Sequence, residues 1–177
     1  VIALYSGARV NEISQLKVED IIKFDGVYCF YFTDEGDGQS LKNESSKRIV
    51  PIHSELIKLG FLDFVDDVKK KKKDRVFYTL NRTEHSNYGD TISKWFGVYR
   101  RKVGIVSKNK TLHSMRHNVE TKLVNNNISE TIQNSICGWS DKGVGQRVYA
   151  KKEIKTLQSA IETIKYEFWD DVVDNLK

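Results

Sequence analysis

The sequence predicts a mainly helical domain that carries a small antiparallel β-sheet. Apolar residues recur at helical spacing over most of the chain, and a single proline leaves these stretches uninterrupted. Two shorter stretches instead have the β-branched and aromatic composition of strands, with a glycine-rich turn between them. At 177 residues, the chain has the length of one domain with a full hydrophobic core.

The first predicted element is an interrupted helix. Residues 1–4 are apolar, and Ser6 and Gly7 break the pattern, so that Arg9 starts a second helical segment. Because the chain opens with apolar residues and without methionine, we expect a fragment whose first helix is cut. No signal peptide is visible in it.

A β-hairpin is predicted next. Residues 27–32 form one strand, the acidic and glycine-rich residues 34–38 turn the chain, and residues 48–52 form a second strand. Pro51 is acceptable there if the strand lies at an edge of the sheet. Residues 76–78 are predicted to add a short strand.

The remaining elements are predicted to be helices. Ser54 is a suitable N-cap for a helix over residues 56–68 that is broken at Gly60. The five lysines at 69–73 then form either a solvated helix end or a contact with a DNA backbone. Further helices are predicted over residues 88–103, 112–124 and 129–136.

Residues 152–176 predict an amphipathic helix with a continuous apolar stripe. The stripe consists of Ile154, Leu157, Ile161, Ile164, Phe168, Val172 and Leu176. Such a stripe needs a partner surface, which is either the core of the same chain or a neighbouring subunit.

Composition describes a soluble domain in a reducing compartment. Hydrophobic residues make up 39% and charged residues 30%, and no apolar run approaches the roughly 18 residues of a membrane span. Cys29 and Cys137 are expected to be packed, reduced thiols, which favours the cytoplasm. The net charge of +5 is compatible with a polyanionic partner but does not by itself identify one.

Six polar side chains have complementary chemistry, namely Arg9, Lys42, His113, Arg116, Trp139 and Tyr149. Two guanidinium groups can grip a phosphate, an ammonium and an imidazole can donate protons, and a phenol can act as nucleophile. His113 and Arg116 are three residues apart and share a helix face. His113 and His117 alternatively have the spacing of two zinc ligands, but Ser114 stands where a zinc-protease helix carries glutamate.

The order of these residues resembles the tyrosine recombinases of the phage integrase family. Residues 5–16 resemble the segment that carries the family's first catalytic arginine, and residues 111–117 resemble its second box. Residues 137–140 followed by Tyr149 resemble the third box, and Lys42 takes the place of the β-hairpin lysine. The resemblance spans residues 1 to about 152.

By this resemblance, the chain is expected to cut and rejoin DNA strands. Tyr149 would attack the scissile phosphorus and form a 3′-phosphotyrosine bond, while Arg9 and Arg116 would neutralise the phosphate. His113 would act on the proton of the nucleophile or bond a non-bridging oxygen. A phenol needs this help because its ordinary pKa is about 10.

The other assigned roles are supporting ones. Lys42 would protonate the departing 5′-oxygen, with Lys47 of the same hairpin as the alternative. Trp139 stands where many relatives carry a second histidine, and its indole N–H would bond the phosphate without exchanging a proton. Glu12 would orient the active-site cations or serve only as a helix-surface residue.

The resemblance also implies an architecture and partners. Residues 1–177 would be a C-terminal catalytic domain of the tyrosine recombinase fold, without the N-terminal DNA-binding domain, and residues 152–177 would dock on a neighbouring protomer. The expected partners are double-stranded DNA, further copies of the chain in a tetramer on DNA, and accessory DNA-bending proteins. No cofactor, metal or membrane is implied. A type IB topoisomerase and a non-catalytic DNA-binding module are the alternatives.

Overall fold

A three-stranded antiparallel sheet and eight α-helices make up the residues that the computed structural model describes, which are 1–83, 85–139 and 151–167. This architecture confirms the predicted fold class of a mainly helical chain with one small sheet. Among the described helices, none combines the length and apolar character needed to cross a lipid bilayer.

The N-terminal helix is interrupted where the sequence predicts it. Helix α1 spans Ile2–Ser6 and helix α2 spans Val10–Ser14. Gly7 between them has a φ of +63°, a left-handed conformation that favours glycine. A Cβ atom at Gly7 would lie 3.2 Å from the Cys137 sulfur, so glycine also permits close packing against a later helix.

The sheet has the strand order β1-β2-β3, with β1 at Ile21–Phe24, β2 at Val27–Phe32 and β3 at Arg48–Pro51. The two predicted strands are confirmed, and Pro51 lies on an edge strand. The prediction of a strand at 76–78 is wrong, because those residues form a turn that buries Val76. The third strand is β1, which a two-residue turn at Asp25 and Gly26, both with positive φ, joins to β2.

Six further helices lie between the sheet and the end of the described chain. They are α3 at Ser54–Lys58, α4 at Phe61–Lys70, α5 at Tyr88–Lys102, α6 at Leu112–Asn125, α7 at Glu130–Cys137 and α8 at Lys151–Ile161. Gly60 separates α3 from α4 with a φ of +80°, as predicted. The N-cap of α3 is His53 rather than Ser54, because the His53 ring accepts a hydrogen bond from the Glu55 backbone N–H.

Helix α8 ends at Ile161, so a single helix over 152–176 is a wrong prediction. Its apolar residues Ile154, Leu157 and Ile161, with Ile164 beyond it, are all 1% exposed or less and belong to the chain's own core. The described part of the stripe therefore packs on the same chain rather than on a neighbour. The remaining positions of the stripe, from Phe168 onward, lie outside the described residues.

Two buried cysteines, Cys29 and Cys137, are free thiols, as the sequence predicts. The same core takes in α6 through Val119 and Leu123 and the sheet through Phe30. Sheet and helices thus share one hydrophobic cluster. This cluster fixes the relative positions of α2, α6, α7 and β3, the elements that carry the candidate site.

Candidate active site

Arg9 lies between α1 and α2, at the N-cap of α2, where its extended backbone ends the left-handed turn at Gly7. Its Nη1 atom donates to Glu12 Oε1 at 2.6 Å and to Ser46 Oγ at 2.8 Å. No described residue accepts a hydrogen bond from its Nε or Nη2 atom. One edge of the guanidinium is therefore anchored, while the other is left for an acceptor that approaches from outside.

Glu12 is the buried carboxylate at the centre of this arrangement and is 3% exposed. It accepts from the Arg9 backbone N–H at 2.9 Å, from Arg9 Nη1, and from Arg48 Nη2 at 2.9 Å. Burial alone would raise the Glu12 pKa, but the charge of Arg48 and the hydrogen bonds from Arg48 and Arg9 outweigh it and lower the pKa. Of the two roles expected for Glu12, the geometry favours orienting the arginines over a surface role.

Arg116 is a buried cation with an unpaired donor. It is 1% exposed, and its Nη1 atom donates to the Gly7 carbonyl at 2.7 Å. Its Nη2 atom is buried and has no hydrogen-bond partner among the described residues. Burial lowers the Arg116 pKa to about 10, and the nearby cations Arg48 and Arg9 act in the same direction. A buried donor without an acceptor lowers the free energy of unfolding by about 1–3 kcal/mol, and a bound acceptor removes this loss.

Trp139 is half-buried and lies beside Arg116. The Arg116 Cζ atom is 5.3 Å from the centroid of the Trp139 ring, which is cation–π distance. The ring therefore contacts Arg116, one of the two arginines expected to bind phosphate, directly. Trp139 follows Gly138, a left-handed residue with a φ of +67° that ends α7.

His113 is exposed on the first turn of α6 and lies within a cluster of positive charge. Burial lowers the His113 pKa, and the charges of His117, Arg116, Arg9 and Lys42 lower it further. The lowered pKa favours the neutral imidazole, the form that can accept a proton. Arg9 and Lys42, from two other segments of the chain, thus lie close enough to influence the charge of His113.

The zinc alternative for His113 and His117 has no further support. Their rings meet edge to face at 4.8 Å, and His117 Nδ1 lies 3.3 Å from Glu120 Oε2. Within 1–83, 85–139 and 151–167, no group of three or more His, Cys, Asp or Glu side chains converges as metal ligands would. His117 is thus paired on the surface of α6.

Lys42 and Lys47 have different environments in the segment between β2 and β3. Lys47 forms an ion pair with Glu35, and the hydrogen bond to Glu35 raises its pKa. Lys42 is exposed, forms no ion pair with the described residues, and contributes to the positive field at His113. This contrast favours Lys42 as the lysine that faces the site.

Tyr149, the predicted nucleophile, lies outside the described residues. Among the other predicted site residues, Arg9 contacts Glu12 and Arg116 contacts Trp139, whereas His113 and Lys42 are linked to the arginines only through their electrostatic effects. The sequence interpretation missed Arg48, which is buried at 2% exposure and donates to Glu12. A signal for it exists, because Arg48 lies two residues before the buried Val50 on β3, and alternate residues of a strand share a face.

The chain matches the model of a known protein family. A model described as the phage integrase family matches residues 1–155. The matched range covers most of the chain and contains every candidate site residue. A comparison with curated proteins found no match.

Proposed function

This chain belongs to the phage integrase family, and we propose that it is a site-specific recombinase that breaks and rejoins double-stranded DNA through a covalent 3′-phosphotyrosine intermediate. The reaction would serve the integration or excision of a mobile element. The observation that carries the proposal is the buried Arg116 guanidinium, whose Nη2 atom has no acceptor in the described chain. A scissile phosphate supplies the missing acceptor.

The proposed reaction begins with the phosphate held between two arginines. Arg9 offers its Nε and Nη2 edge and Arg116 its Nη2 atom, so that both guanidinium groups reach non-bridging oxygens. Negative charge grows on these oxygens in the pentacoordinate transition state, and charge-assisted hydrogen bonds strengthen with it. The Trp139 ring stabilises Arg116 and its N–H donates to the phosphate.

The bond changes are those of an in-line displacement. Tyr149 Oη forms a bond to phosphorus, the bond from phosphorus to the 5′-oxygen breaks, and the energy of the phosphodiester is retained for religation. Neutral His113 takes the phenol proton, and the lowered pKa of His113 favours the neutral form that this step requires. Lys42 gives a proton to the departing 5′-oxygen, because an alkoxide is too basic to leave unassisted.

The assembly is also a proposal. The active form would be a tetramer on DNA in the cytoplasm, helped by accessory DNA-bending proteins. Because the described part of the C-terminal stripe packs in the chain's own core, docking on a neighbouring protomer would fall to residues 168–177. Their sequence combines Phe168, Trp169 and Val172 with acidic residues, which is typical of an amphipathic docking segment.

One gel tests the catalytic claim. The chain is incubated with nicked duplexes that tile the DNA flanking its gene, and covalent adducts are sought after denaturation in SDS. A nick close to the cleavage point lets the short product strand leave, which traps the adduct. We expect an adduct on at least one duplex, none with Tyr149→Phe, and an unchanged adduct with the control Tyr28→Phe, which removes the hydroxyl of an exposed tyrosine on β2. No adduct on any tile, or an adduct with Tyr149→Phe, contradicts the proposal.

The same experiment distinguishes the related activities. Strand transfer to a second duplex supports recombination, whereas relaxation of a supercoiled plasmid without transfer indicates a topoisomerase. Retarded migration of the duplex without any SDS-resistant adduct indicates a binding module. Deleting residues 168–177 should reduce tetramer formation on DNA while leaving cleavage by the single subunit intact.

A further inference from the structure

Arg48 on β3 is a buried cation that joins three segments of the candidate site. Its Nη2 atom donates to Glu12 Oε2 at 2.9 Å, its Nη1 atom to the Ser46 carbonyl at 2.7 Å, and its Nε atom to the Ile136 carbonyl at 2.8 Å. Its guanidinium also lies over the Phe32 ring, with Cζ 4.6 Å from the centroid. One side chain therefore connects α2, the segment before β3 and the end of α7.

We propose that Arg48 is a positioning residue for strand cleavage, which orients the phosphate-binding Arg9 by hydrogen-bonding both of the residues that anchor it, Glu12 through its carboxylate and Ser46 through its backbone carbonyl. The expected effect of Arg48 on strand cleavage rests on the proposed function. The effect of Arg48 on the orientation of Arg9 does not, and it is tested separately in the free protein.

Arg48 bonds each anchor of Arg9. The Arg9 guanidinium donates through Nη1 to Glu12 and to the Ser46 hydroxyl. Arg48 holds the carboxylate of Glu12 and the backbone carbonyl of Ser46. Without Arg48, Glu12 keeps only Arg9 as a charged partner, and the Ser46 carbonyl loses its donor. The Glu12 carboxylate and the Ser46 backbone then gain freedom and the orientation of Arg9 becomes less well defined, while the Ser46 hydroxyl keeps its hydrogen bond to Asn43 Oδ1.

The third hydrogen bond of Arg48, from Nε to the Ile136 carbonyl, connects Arg48 with the end of α7 on the other side of the site. The Ile136 carbonyl lies in the last turn of α7, where helix carbonyls have no partner within the helix. The next turn contains Gly138, at which an added Cβ would lie 2.9 Å from Arg48 Nη1. Arg48 thus packs directly against the turn that places Trp139, the residue in contact with Arg116.

Stability alone does not explain an arginine at this position. Buried ion pairs are often no more stabilising than apolar residues of similar volume, because desolvation of both charges offsets their attraction. Arg48 is in phase with Val50 on a strand that faces the core, where an apolar residue would be usual. What only arginine provides is three donors in a fixed planar geometry, directed at three segments at once.

The test compares Arg48→Met with Arg100→Met. Arg100 is a matched control, because it is also buried and donates to two carbonyls, those of Ile105 and Ser107, without contacting Arg9, Glu12 or Ser46. Single-turnover adduct formation is measured at saturating nicked duplex, with the natural scissile phosphate and with a neutral methylphosphonate in its place.

We expect Arg48→Met to slow adduct formation roughly 10- to 100-fold, in the range of substitutions that misplace a ligand held by a second residue. Arg9→Ala should slow it more, by about 100- to 1,000-fold, as loss of a direct oxyanion donor does. Both reductions in rate should be smaller with the methylphosphonate, because a neutral phosphoryl group has less negative charge for a guanidinium to stabilise. Adding Arg48→Met to Arg9→Ala should cause little further loss, and Arg100→Met should keep the wild-type rate constant.

A second measurement follows Arg9 without DNA. The N–H signals of the Arg9 guanidinium are identified as those missing in Arg9→Lys. In wild type and in Arg100→Met, these signals should be resolved from one another, because the guanidinium is held in one orientation. In Arg48→Met, they should merge into an averaged signal. If wild type forms no adduct, the proposed function fails, and this measurement still decides whether Arg48 orients Arg9. Should Arg48→Met not fold, Arg48→Lys replaces it, because a lysine can reach Glu12 but cannot hold all three acceptors. Unchanged Arg9 signals, or an unchanged cleavage rate constant, would overturn the inference.

Discussion

Replacing Glu12 by glutamine should destabilise the chain strongly. The carboxylate is 3% exposed and is the ion-pair partner of Arg48, which is 2% exposed. Removing one partner of a buried ion pair costs about 3–5 kcal/mol, because the other charge stays buried without compensation. For a domain of this size, 1 kcal/mol corresponds to about 2–4 °C in melting temperature, so Glu12→Gln should lower it by roughly 6–20 °C. Such a loss is a large part of a typical stability of about 5–15 kcal/mol.

Thermal unfolding followed by circular dichroism measures this effect, with Glu35→Gln as the control. Glu35 also pairs with a cation, Lys47, but 60% of its side chain is exposed, so its loss should hardly change the melting temperature. Because the folded-state pKa of Glu12 is lowered, its stabilising contribution is complete above the ordinary carboxyl pKa and is lost as pH falls through the folded value. Glu12→Gln should therefore also flatten the acid side of the stability profile. Equal melting temperatures for Glu12→Gln and Glu35→Gln would contradict a stabilising role of the buried ion pair between Glu12 and Arg48.

Inorganic phosphate should raise the melting temperature of wild type at constant ionic strength, and Arg116→Met should lose most of this rise because the unpaired donor is gone. Equal rises in a thermal-shift assay would contradict the phosphate site. NMR titration should give His113 a pKa below its ordinary value. The His113 pKa should be higher in Lys42→Met, since the Lys42 ammonium disfavours the imidazolium. An unchanged His113 pKa in Lys42→Met would mean that Lys42 does not lie near His113. Lys42→Ala should lose cleavage of the natural phosphate and regain it on a 5′-thio bridging phosphate, whose leaving group needs no proton, while Lys47→Ala should need no such rescue. The reverse pattern would assign the proton to Lys47.

Local sequence signals predicted much of this fold. The break at Gly7, the strand at Val27–Phe32 and the helix α5 follow from a left-handed glycine, an aromatic run and helical periodicity, which act over a few residues. Strand β1 was missed although Asp25 and Gly26 form the two-residue turn most typical of hairpins. The short, partly exposed β1 has little of the composition of a buried strand.

Tertiary contacts decided the features that the sequence did not reveal. Helix α8 ends at Ile161 although the apolar stripe continues, because the following residues are held by another part of the chain. Glu162 accepts hydrogen bonds from the Ser54 backbone N–H and hydroxyl, and the Ile164 carbonyl is bonded to His53. These contacts override the helical periodicity, which describes a single segment only.

Arg48 shows the same limit within the site. Its position two residues before Val50 on β3 indicates burial. It does not identify the three groups that accept its hydrogen bonds, because these belong to residues 12, 46 and 136, two of which are distant in the sequence. The motif residues Arg9, His113 and Arg116 were accessible from the sequence because their order and spacing are characteristic. Residues that hold the motif in place have no such spacing, so only the folded chain identifies them.

The excess of cations around Arg116 connects the stability of the site with its proposed chemistry. Within the described chain, Glu12 is the carboxylate that Arg9 and Arg48 share, and Arg116 contacts none. A second carboxylate would stabilise the free protein, but it would also repel a phosphate and occupy the Nη2 donor. Leaving that donor unpaired costs about 1–3 kcal/mol in the free chain, and a bound phosphate removes the cost. Because charge on the phosphoryl oxygens is largest in the transition state, the same unpaired donor favours the reaction more than it favours the bound substrate.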